Sequence, residues 1–281
     1  MALGDAGNKI KDSVSGIVKG TGDVVGGTVE TVKDTVSGTL RGAGDVAKDA
    51  TAAVADAITG ALQAVGEVGG SIVDVVKGTV VGVIEGVGEI TTVTANVVSS
   101  TVRAAIKGTS EIGGDVAEAA AGTAQAAITA SKNVALDVEE TAVSVGRGAI
   151  LGTKDIGGDV VTTASETIGG VVKGAKDIAV DAVSAIQSTA TGLVKGAGEV
   201  GADVTSVAKG AVVGAIDTAK EVGLNVEEAA SAAATGAIEG AKDLGQTTVD
   251  AVRGVVSGTV EGVKVTVKGD KASPRKKTSD G

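Results

Sequence analysis

The sequence predicts an all-α protein: a long, nearly uninterrupted amphipathic helix, or a few long helices folded back as hairpins. Three observations lead to this prediction. A 22-residue motif recurs from Gly16 to Gly258 without insertion or deletion, both 11-residue halves of the motif have apolar residues at the same places, and the repeats contain no proline. Eleven residues make three helical turns of about 3.67 residues, whereas the alternation of a strand does not fit this spacing.

The chain begins with a short segment that precedes the first copy of the motif. Its sequence, Met-Ala-Leu-Gly-Asp-Ala-Gly, lacks the charged and then apolar order of a secretory signal peptide. We therefore expect residues 1–15 to form a flexible N-terminal lead-in.

The repeats occupy residues 16–268, which is more than eleven copies of the 22-residue unit. A typical copy reads Gly192-Leu-Val-Lys-Gly-Ala-Gly-Glu-Val200. Two positions of the repeat are aliphatic in every copy, and we expect their side chains to face either lipid or a protein core. Row A comprises Leu40, Leu62, Ile84, Ile106, Ile128, Ile150, Val172, Val194, Ile216, Ile238 and Val260, and row B comprises Val24, Val46, Val68, Ile90, Ile112, Val134, Ile156, Ile178, Val200, Val222 and Leu244.

On an 11/3 helix the polar face is divided into an acidic part and a basic part. Acidic residues such as Asp137 and Glu140 fill its middle and one shoulder, and lysines such as Lys176 fill the other shoulder. Parallel helices side by side would then set base against acid, whereas antiparallel neighbours would match like with like. Pairs such as Gly170/Gly174 either permit close approach of helices or keep the helix marginal until a surface orders it, and we favour the second interpretation.

The composition argues against an ordinary globular core. The chain has no Phe, Tyr, Trp, His or Cys, and it contains 45 glycines. Aromatic side chains supply much of the buried area of most cores, and each glycine weakens a helix. However, 43% hydrophobic residues and a mean hydropathy of +0.31 exceed what a simply disordered chain carries. We therefore expect a chain that is conditionally disordered in water.

The same composition excludes several classes of function. Without His or Cys, the chain lacks the usual acid–base and nucleophilic groups, so we expect no enzyme, cofactor, metal site or small-molecule substrate. A net charge of −10 disfavours nucleic acid as a partner. No stretch of about 18 residues is free of charge, so a transmembrane helix is not expected. Gly196-Ala-Gly-Glu-Val-Gly201 matches a dinucleotide fingerprint, but other copies of the repeat break the pattern.

The last segment, residues 269–281, contains Pro274 and a basic cluster. Lys271, Arg275, Lys276 and Lys277 contribute that charge. We expect a disordered basic tail, for which simple solvation is a more common role than contact with an anionic surface.

The repeats resemble three families of amphipathic 11-residue repeat proteins. Val32-Lys-Asp-Thr-Val-Ser-Gly-Thr-Leu-Arg-Gly-Ala-Gly-Asp-Val-Ala-Lys-Asp49 resembles the perilipin repeats, Val75-Val-Lys-Gly-Thr-Val-Val-Gly-Val-Ile-Glu-Gly-Val87 is similar to the synuclein repeats, and the 22-residue doubling is similar to exchangeable apolipoproteins. The resemblance implies a chain that lies as a helix on lipid droplets, vesicles or lipoproteins. Group 3 late-embryogenesis-abundant proteins also use 11-residue repeats but are more hydrophilic.

Together these observations favour a non-enzymatic protein that coats lipid droplets or membrane surfaces through an extended amphipathic helix. We expect a neutral or weakly charged lipid surface as its partner and a peripheral position in the cytoplasm. Two alternatives remain open. One is self-association into a structural bundle or filament, for which an 11-residue period predicts a right-handed supercoil. The other is a stress or desiccation protectant like the late-embryogenesis-abundant proteins.

Overall fold

The structure, a computed structural model, describes residues 4–20, 23–42 and 46–267, with the backbone alone at residues 46–49. Within these residues the chain forms twelve α-helices, a short 3-10 helix and one β-hairpin. The helices are α1 (Asp5–Lys19), α2 (Val24–Arg41), α3 (Val46–Val68), α4 (Ile72–Gly88), α5 (Ala95–Glu111), α6 (Val116–Asn133), α7 (Val138–Asp155), α8 (Val160–Asp177), α9 (Ala182–Glu199), α10 (Val204–Val222), α11 (Val226–Ala241) and α12 (Gln246–Val256). The 3-10 helix is Lys242–Leu244, and the antiparallel hairpin pairs β1 (Gly258–Val260) with β2 (Val263–Val265).

The all-α class is confirmed, but the prediction of a nearly uninterrupted helix is wrong for this fold. Helices α6 to α9 each contain 18 residues and are joined by four-residue turns. One helix and one turn therefore make up the 22-residue repeat. The 22-residue period is present in the structure, but each of these repeats contains a break between helices.

Each break between α5 and α11 is built from the same two local signals. The first is a residue with positive φ just after the helix, for example Gly157 with φ 67°. There the amide of Gly158 donates to the carbonyl of Thr153 at 2.9 Å, a bond typical of the Schellman helix end. The second signal is an N-cap two residues after the positive-φ position, where Asp159 accepts from the amides of Val161 and Thr162.

The helices form a two-layer solenoid in which each of α1 to α11 packs most closely against a helix two positions away along the chain. Gly170 of α8 lies against Ala121 of α6, and Gly174 lies against Gln125, so contacts advance in the same direction and the two helices are parallel. A four-residue turn cannot span a helix about 27 Å long. Consecutive helices are therefore antiparallel, and odd- and even-numbered helices form separate layers.

Glycines make the close packing within each layer possible. A Cβ added at Gly174 would lie 2.8 Å from the carbonyl oxygen of Gln125, and one at Gly240 would lie 2.6 Å from that of Thr191. These neighbours are backbone atoms, which cannot rotate away. The structure therefore supports the close-approach interpretation of the Gly-xxx-Gly pairs rather than the one we favoured.

The core is built from Ala, Val, Ile and Leu, with no aromatic side chain in the sequence. Several buried threonines donate their hydroxyls to their own helix; that of Thr167, for example, donates to the Thr163 carbonyl at 2.7 Å, whereas the buried hydroxyls of Thr28, Thr109 and Thr123 have no hydrogen-bond partner among the described residues. This core forms without aromatic residues, contrary to the expectation from composition. Close glycine contacts bring the helices near enough for small side chains to fill the space between them.

The two ends of the chain differ from the expected organisation in one case. Residues 5–15, expected to be a flexible lead-in, form most of α1, and Ile10 and Val14 are fully buried. At the other end the hairpin packs on α11, and the amide of Thr266 donates to the hydroxyl of Ser231 at 3.0 Å. The predicted tail, residues 269–281, lies outside the described residues.

Candidate interaction surfaces

Row A lies in the interior of the solenoid. Every member is buried: Leu40, Leu62, Ile84, Ile106, Ile128, Ile150, Val172, Val194, Ile216 and Ile238 lie in helices, and Val260 lies in β1. Ile128 and Ile150, for example, have no exposed surface. In this fold row A therefore faces the protein core and is not accessible to an external surface.

Row B lies at the ends of the helices, next to the turns. Ile112, Val134, Ile156, Ile178 and Val200 immediately follow helices as C-cap residues. Most row B side chains are half-buried against the core; they are Val24, Val68, Ile90, Ile112, Val134, Ile156, Val200, Val222 and Leu244, whereas Ile178 is buried and the side chain of Val46 lies outside the described part of the chain. The two rows therefore have different roles, although both were predicted to face one surface.

Ion pairs join neighbouring parallel helices along the outside of the solenoid. Arg147 of α7 binds both carboxylate oxygens of Glu199 of α9 at 2.8 and 2.9 Å, and Arg103 of α5 pairs in the same way with Asp155 of α7. The hydrogen bond to Glu199 raises the pKa of the Arg147 guanidinium. Parallel neighbours thus set base against acid. Arg103 and Arg147 are not residues of the predicted basic shoulder, and Lys176, which belongs to that shoulder, donates to the carbonyl oxygen of Val222 instead.

Further pairs of this kind recur along both layers. They join Lys11 to Glu67, Lys33 to Glu89, Lys173 to Glu221 and Lys195 to Asp243. Their side chains are partly exposed, and exposed pairs stabilise a fold by less than about 1 kcal/mol each. They fix the register of neighbouring helices more than they stabilise the fold.

The outer surface offers little apolar area to a partner. Across the described residues, the large hydrophobic side chains classed as exposed are Val180 at 37% and Val255 at 40%. They belong to different parts of the solenoid, one before α9 and the other near the end of α12. A lipid surface would therefore meet a mainly polar exterior as long as the solenoid stays closed.

One open groove has a volume of about 580 Å³. It lies where α1, α2 and α3 meet and is lined by Asp5, Lys9, Asp34 and Asp56, among others. Nowhere in the described ranges do three or more carboxylates come together in a way that would hold a metal ion. The groove therefore gives no indication of a particular chemistry.

The carboxylates with shifted pKa values act as helix caps. Hydroxyl donors at Thr205 and Ser206 lower the pKa of Asp203 to about 2, and the Thr162 hydroxyl lowers the pKa of Asp159. Both carboxylates accept backbone amides at the start of a helix. A lowered pKa at a cap stabilises the helix and does not suit a general acid or base.

The caps are the structural residues that the sequence analysis missed. Asp115, Asp137, Asp159 and Asp181 were assigned to the acidic face, whereas each begins a helix. Two signals were present. These aspartates recur every 22 residues, and Asp115 and Asp137 are followed three positions later by Glu, as in a capping box.

The chain matches no protein-family model and no curated protein. Over the part of the chain that the structure describes, no helix is long and apolar enough to cross a membrane. The candidate functional features of this all-α repeat protein are therefore the interior row A, the tight glycine contacts and the turns.

Proposed function

We propose that the protein is a non-enzymatic lipid-surface protein that stores amphipathic helices in a solenoid and lays them on lipid droplets or membrane surfaces in the cytoplasm. The observation that carries the proposal is the position of row A. Its members recur every 22 residues and form a buried apolar row along the solenoid. The perilipin-like, synuclein-like and apolipoprotein-like character of the repeats supports the same proposal.

The 22-residue spacing suits a second arrangement of the same residues. Twenty-two residues make six turns at about 3.67 residues per turn, so row A would form one continuous line on a straightened helix. An amphipathic helix with such a line lies in the plane of an interface, with its charged face in water. The long, nearly uninterrupted helix predicted from the sequence would then be the surface-bound form.

Exchange between the solenoid and the surface-bound helix is energetically accessible because the row A side chains would be buried in both forms. A buried Val, Ile or Leu side chain contributes about 1.5–3 kcal/mol when removed from water, whether into a core or into lipid. No side chain of row A is larger than Leu or Ile, so each of them can be buried in a protein core or in lipid. What opening would lose is the close backbone packing at positions such as Gly174.

Measuring the distance between two labelled cysteines, in the presence and absence of lipid droplets, tests both the binding of the protein to a lipid surface and the opening of the solenoid. The chain has no cysteine, so Lys132→Cys and Lys176→Cys provide two unique labelling sites at the ends of neighbouring helices α6 and α8. In the solenoid these sites lie roughly 15 Å apart, whereas 44 residues of continuous helix would separate them by about 66 Å. We expect flotation with phosphatidylcholine-coated neutral-oil droplets, accompanied by the longer distance.

Each alternative outcome has a definite meaning. Failure of the labelled protein to float would refute lipid binding. Flotation with the short distance retained would show that α6 to α8 do not become one continuous helix on the lipid surface, so that the continuous surface-bound form would be wrong. The matched control pair, Lys132→Cys with Asn133→Cys, lies within one helix end and should keep its distance in both states.

A second candidate function is structural self-association, and the parallel base-to-acid pairing favours it. The ion pairs Arg147–Glu199 and Lys173–Glu221 show that parallel helices of this repeat have complementary charges. The same recognition between chains would give an oligomer or filament. Sedimentation of the lipid-free protein separates the candidates: a stable oligomer whose mass is unchanged by lipid droplets supports self-association, and a monomer argues against it.

A further inference from the structure

Six turns of the solenoid share one geometry but differ in the residue at the positive-φ position. The positive-φ position is Gly113, Gly157, Gly201 and Gly223 in four of them and Ala135 and Ala179, with φ 52° and 57°, in the other two. All six contain the same Schellman bond, which after Ala135 runs from the Leu136 amide to the Ser131 carbonyl at 2.8 Å and after Ala179 from the Val180 amide to the Ala175 carbonyl at 3.0 Å. The residue at the positive-φ position, glycine or alanine, therefore gives these turns different stabilities.

Compared with glycine, alanine stabilises this turn less and a continuous helix more. A Cβ disfavours the left-handed conformation, whereas glycine adopts it freely. In a continuous helix the order reverses, because alanine is the best helix former and glycine one of the worst. Ala135 and Ala179 are both exposed, so packing of their methyl groups does not offset the strain.

The two alanine turns lie at the same edge of the solenoid. Ala135 follows α6 and Ala179 follows α8, which are neighbouring parallel helices of one layer. The turns at Gly113, Gly157 and Gly201 follow odd-numbered helices and lie at the opposite edge. The strain is thus concentrated in two adjacent helical hairpins, α6–α7 and α8–α9.

We propose that the solenoid opens first at Ala135 and Ala179. There a change of the alanine from left-handed to right-handed backbone, together with a change of the extended N-cap residues Asp137 and Asp181 to helical backbone, fuses each hairpin into one continuous helix. Residues 116–155 and 160–199 would then each form a straight segment of about 60 Å that carries part of row A along one side. The glycine turns hold the rest of the solenoid closed. The use of the opened segments at a lipid surface rests on the proposed function, but the order of opening does not.

Hydrogen exchange of the lipid-free full chain tests the order of opening. Peptides that contain the Leu136 and Val180 amides should exchange faster than peptides that contain the equivalent amides after Gly157 and Gly201. In the double variant Ala135→Gly/Ala179→Gly, we expect exchange at these two turns to slow by about five- to thirtyfold. Similar exchange at all six turns, unchanged in the variant, would overturn the proposal.

The matched control moves the weakness to the opposite edge. A Cβ at Gly157 or Gly201 would meet nothing within 4 Å, so Gly157→Ala/Gly201→Ala changes the backbone preference without a steric clash. We expect exchange at those turns to accelerate by a similar factor while the alanine turns stay as they are. A uniform acceleration along the chain would instead indicate general destabilisation and would contradict local opening.

The lipid arm separates this proposal from the proposed function. With phosphatidylcholine-coated neutral-oil droplets, the Ala135→Gly/Ala179→Gly variant should associate more slowly than wild type, by a factor similar to that measured in exchange. If neither protein associates, the proposed function is wrong, and the exchange data still decide the order of opening. If both associate at the same rate although exchange differs, the turns do not control surface binding, and that part of the inference is wrong.

Discussion

The tight glycine contacts make a testable prediction about stability at Gly214. A Cβ added there would lie 2.5, 2.6 and 2.9 Å from the O, Cα and C atoms of Ser165. All three are backbone atoms of α8, so relief requires α10 and α8 to move apart. Ordinary contact begins near 3.5 Å, so Gly214→Ala would separate the helices by about 1 Å.

The expected magnitude is a balance of two opposing effects. Replacing a helical glycine by alanine stabilises a helix by about 0.5–1 kcal/mol, whereas overpacking of a close contact costs about 1–3 kcal/mol. We therefore expect Gly214→Ala to lower the free energy of unfolding by about 0.5–2 kcal/mol. Because a solenoid is held by contacts between neighbours, the loss should be concentrated in α8 and α10.

Gly38→Ala is the matched control. Gly38 also lies within a helix, but a Cβ there would meet nothing within 4 Å. This change should raise stability by about 0.5–1 kcal/mol. Urea unfolding followed by circular dichroism measures both variants, and hydrogen exchange locates the effect along the chain. If Gly214→Ala proves as stable as Gly38→Ala, the close backbone packing described here is incorrect.

Three further predictions concern the core, a cap and an ion pair. Ile150→Ala should cost about 2–5 kcal/mol because its side chain is fully buried, whereas Val180→Ala at an exposed site should change stability by less than about 0.5 kcal/mol, both measured by urea unfolding. The pKa of the Asp203 cap is lowered from 3.8 to about 2, so the cap's stabilising contribution is complete above about pH 4 and is lost as the pH falls towards 2. Asp203→Asn should reduce that part of the acid dependence of the melting temperature. An unchanged acid dependence would count against the role of Asp203 as a cap. In a double-mutant cycle, Arg147→Ala and Glu199→Ala should couple by less than about 1 kcal/mol and less at high salt, and salt-independent coupling would contradict an exposed pair.

Much of the candidate surface was predictable because it depends on side-chain period. Row A was identified from the recurrence of residues such as Ile128 and Ile150, and both are fully buried. Base-to-acid pairing of parallel helices was likewise predicted from the divided polar face. Lys33 with Glu89 follows that prediction, whereas Arg103 and Arg147 lie outside the predicted basic shoulder. Period and charge position are properties of the helix itself, so a sequence can report them without knowledge of the partner.

The turns were not predicted because their signals are local and were assigned to the repeating pattern. Gly157 was treated as one of many glycines and Asp159 as one of many acidic residues. Together they end one helix and begin the next. Ala135 and Ala179 gave still less signal, since alanine ordinarily favours helix and only the surrounding structure holds it in the left-handed conformation.

The sequence by itself determined that the chain is helical, that its unit is 22 residues long, and that the side chains of row A share one apolar face, because helical geometry converts spacing directly into direction. Only the tertiary structure decided whether that face meets lipid or other helices. That decision depends on contacts between residues about 50 positions apart, such as Gly174 with Gln125. A glycine in a sequence does not indicate which backbone will approach it, and the close approach between parallel helices is what turned a predicted rod into a solenoid.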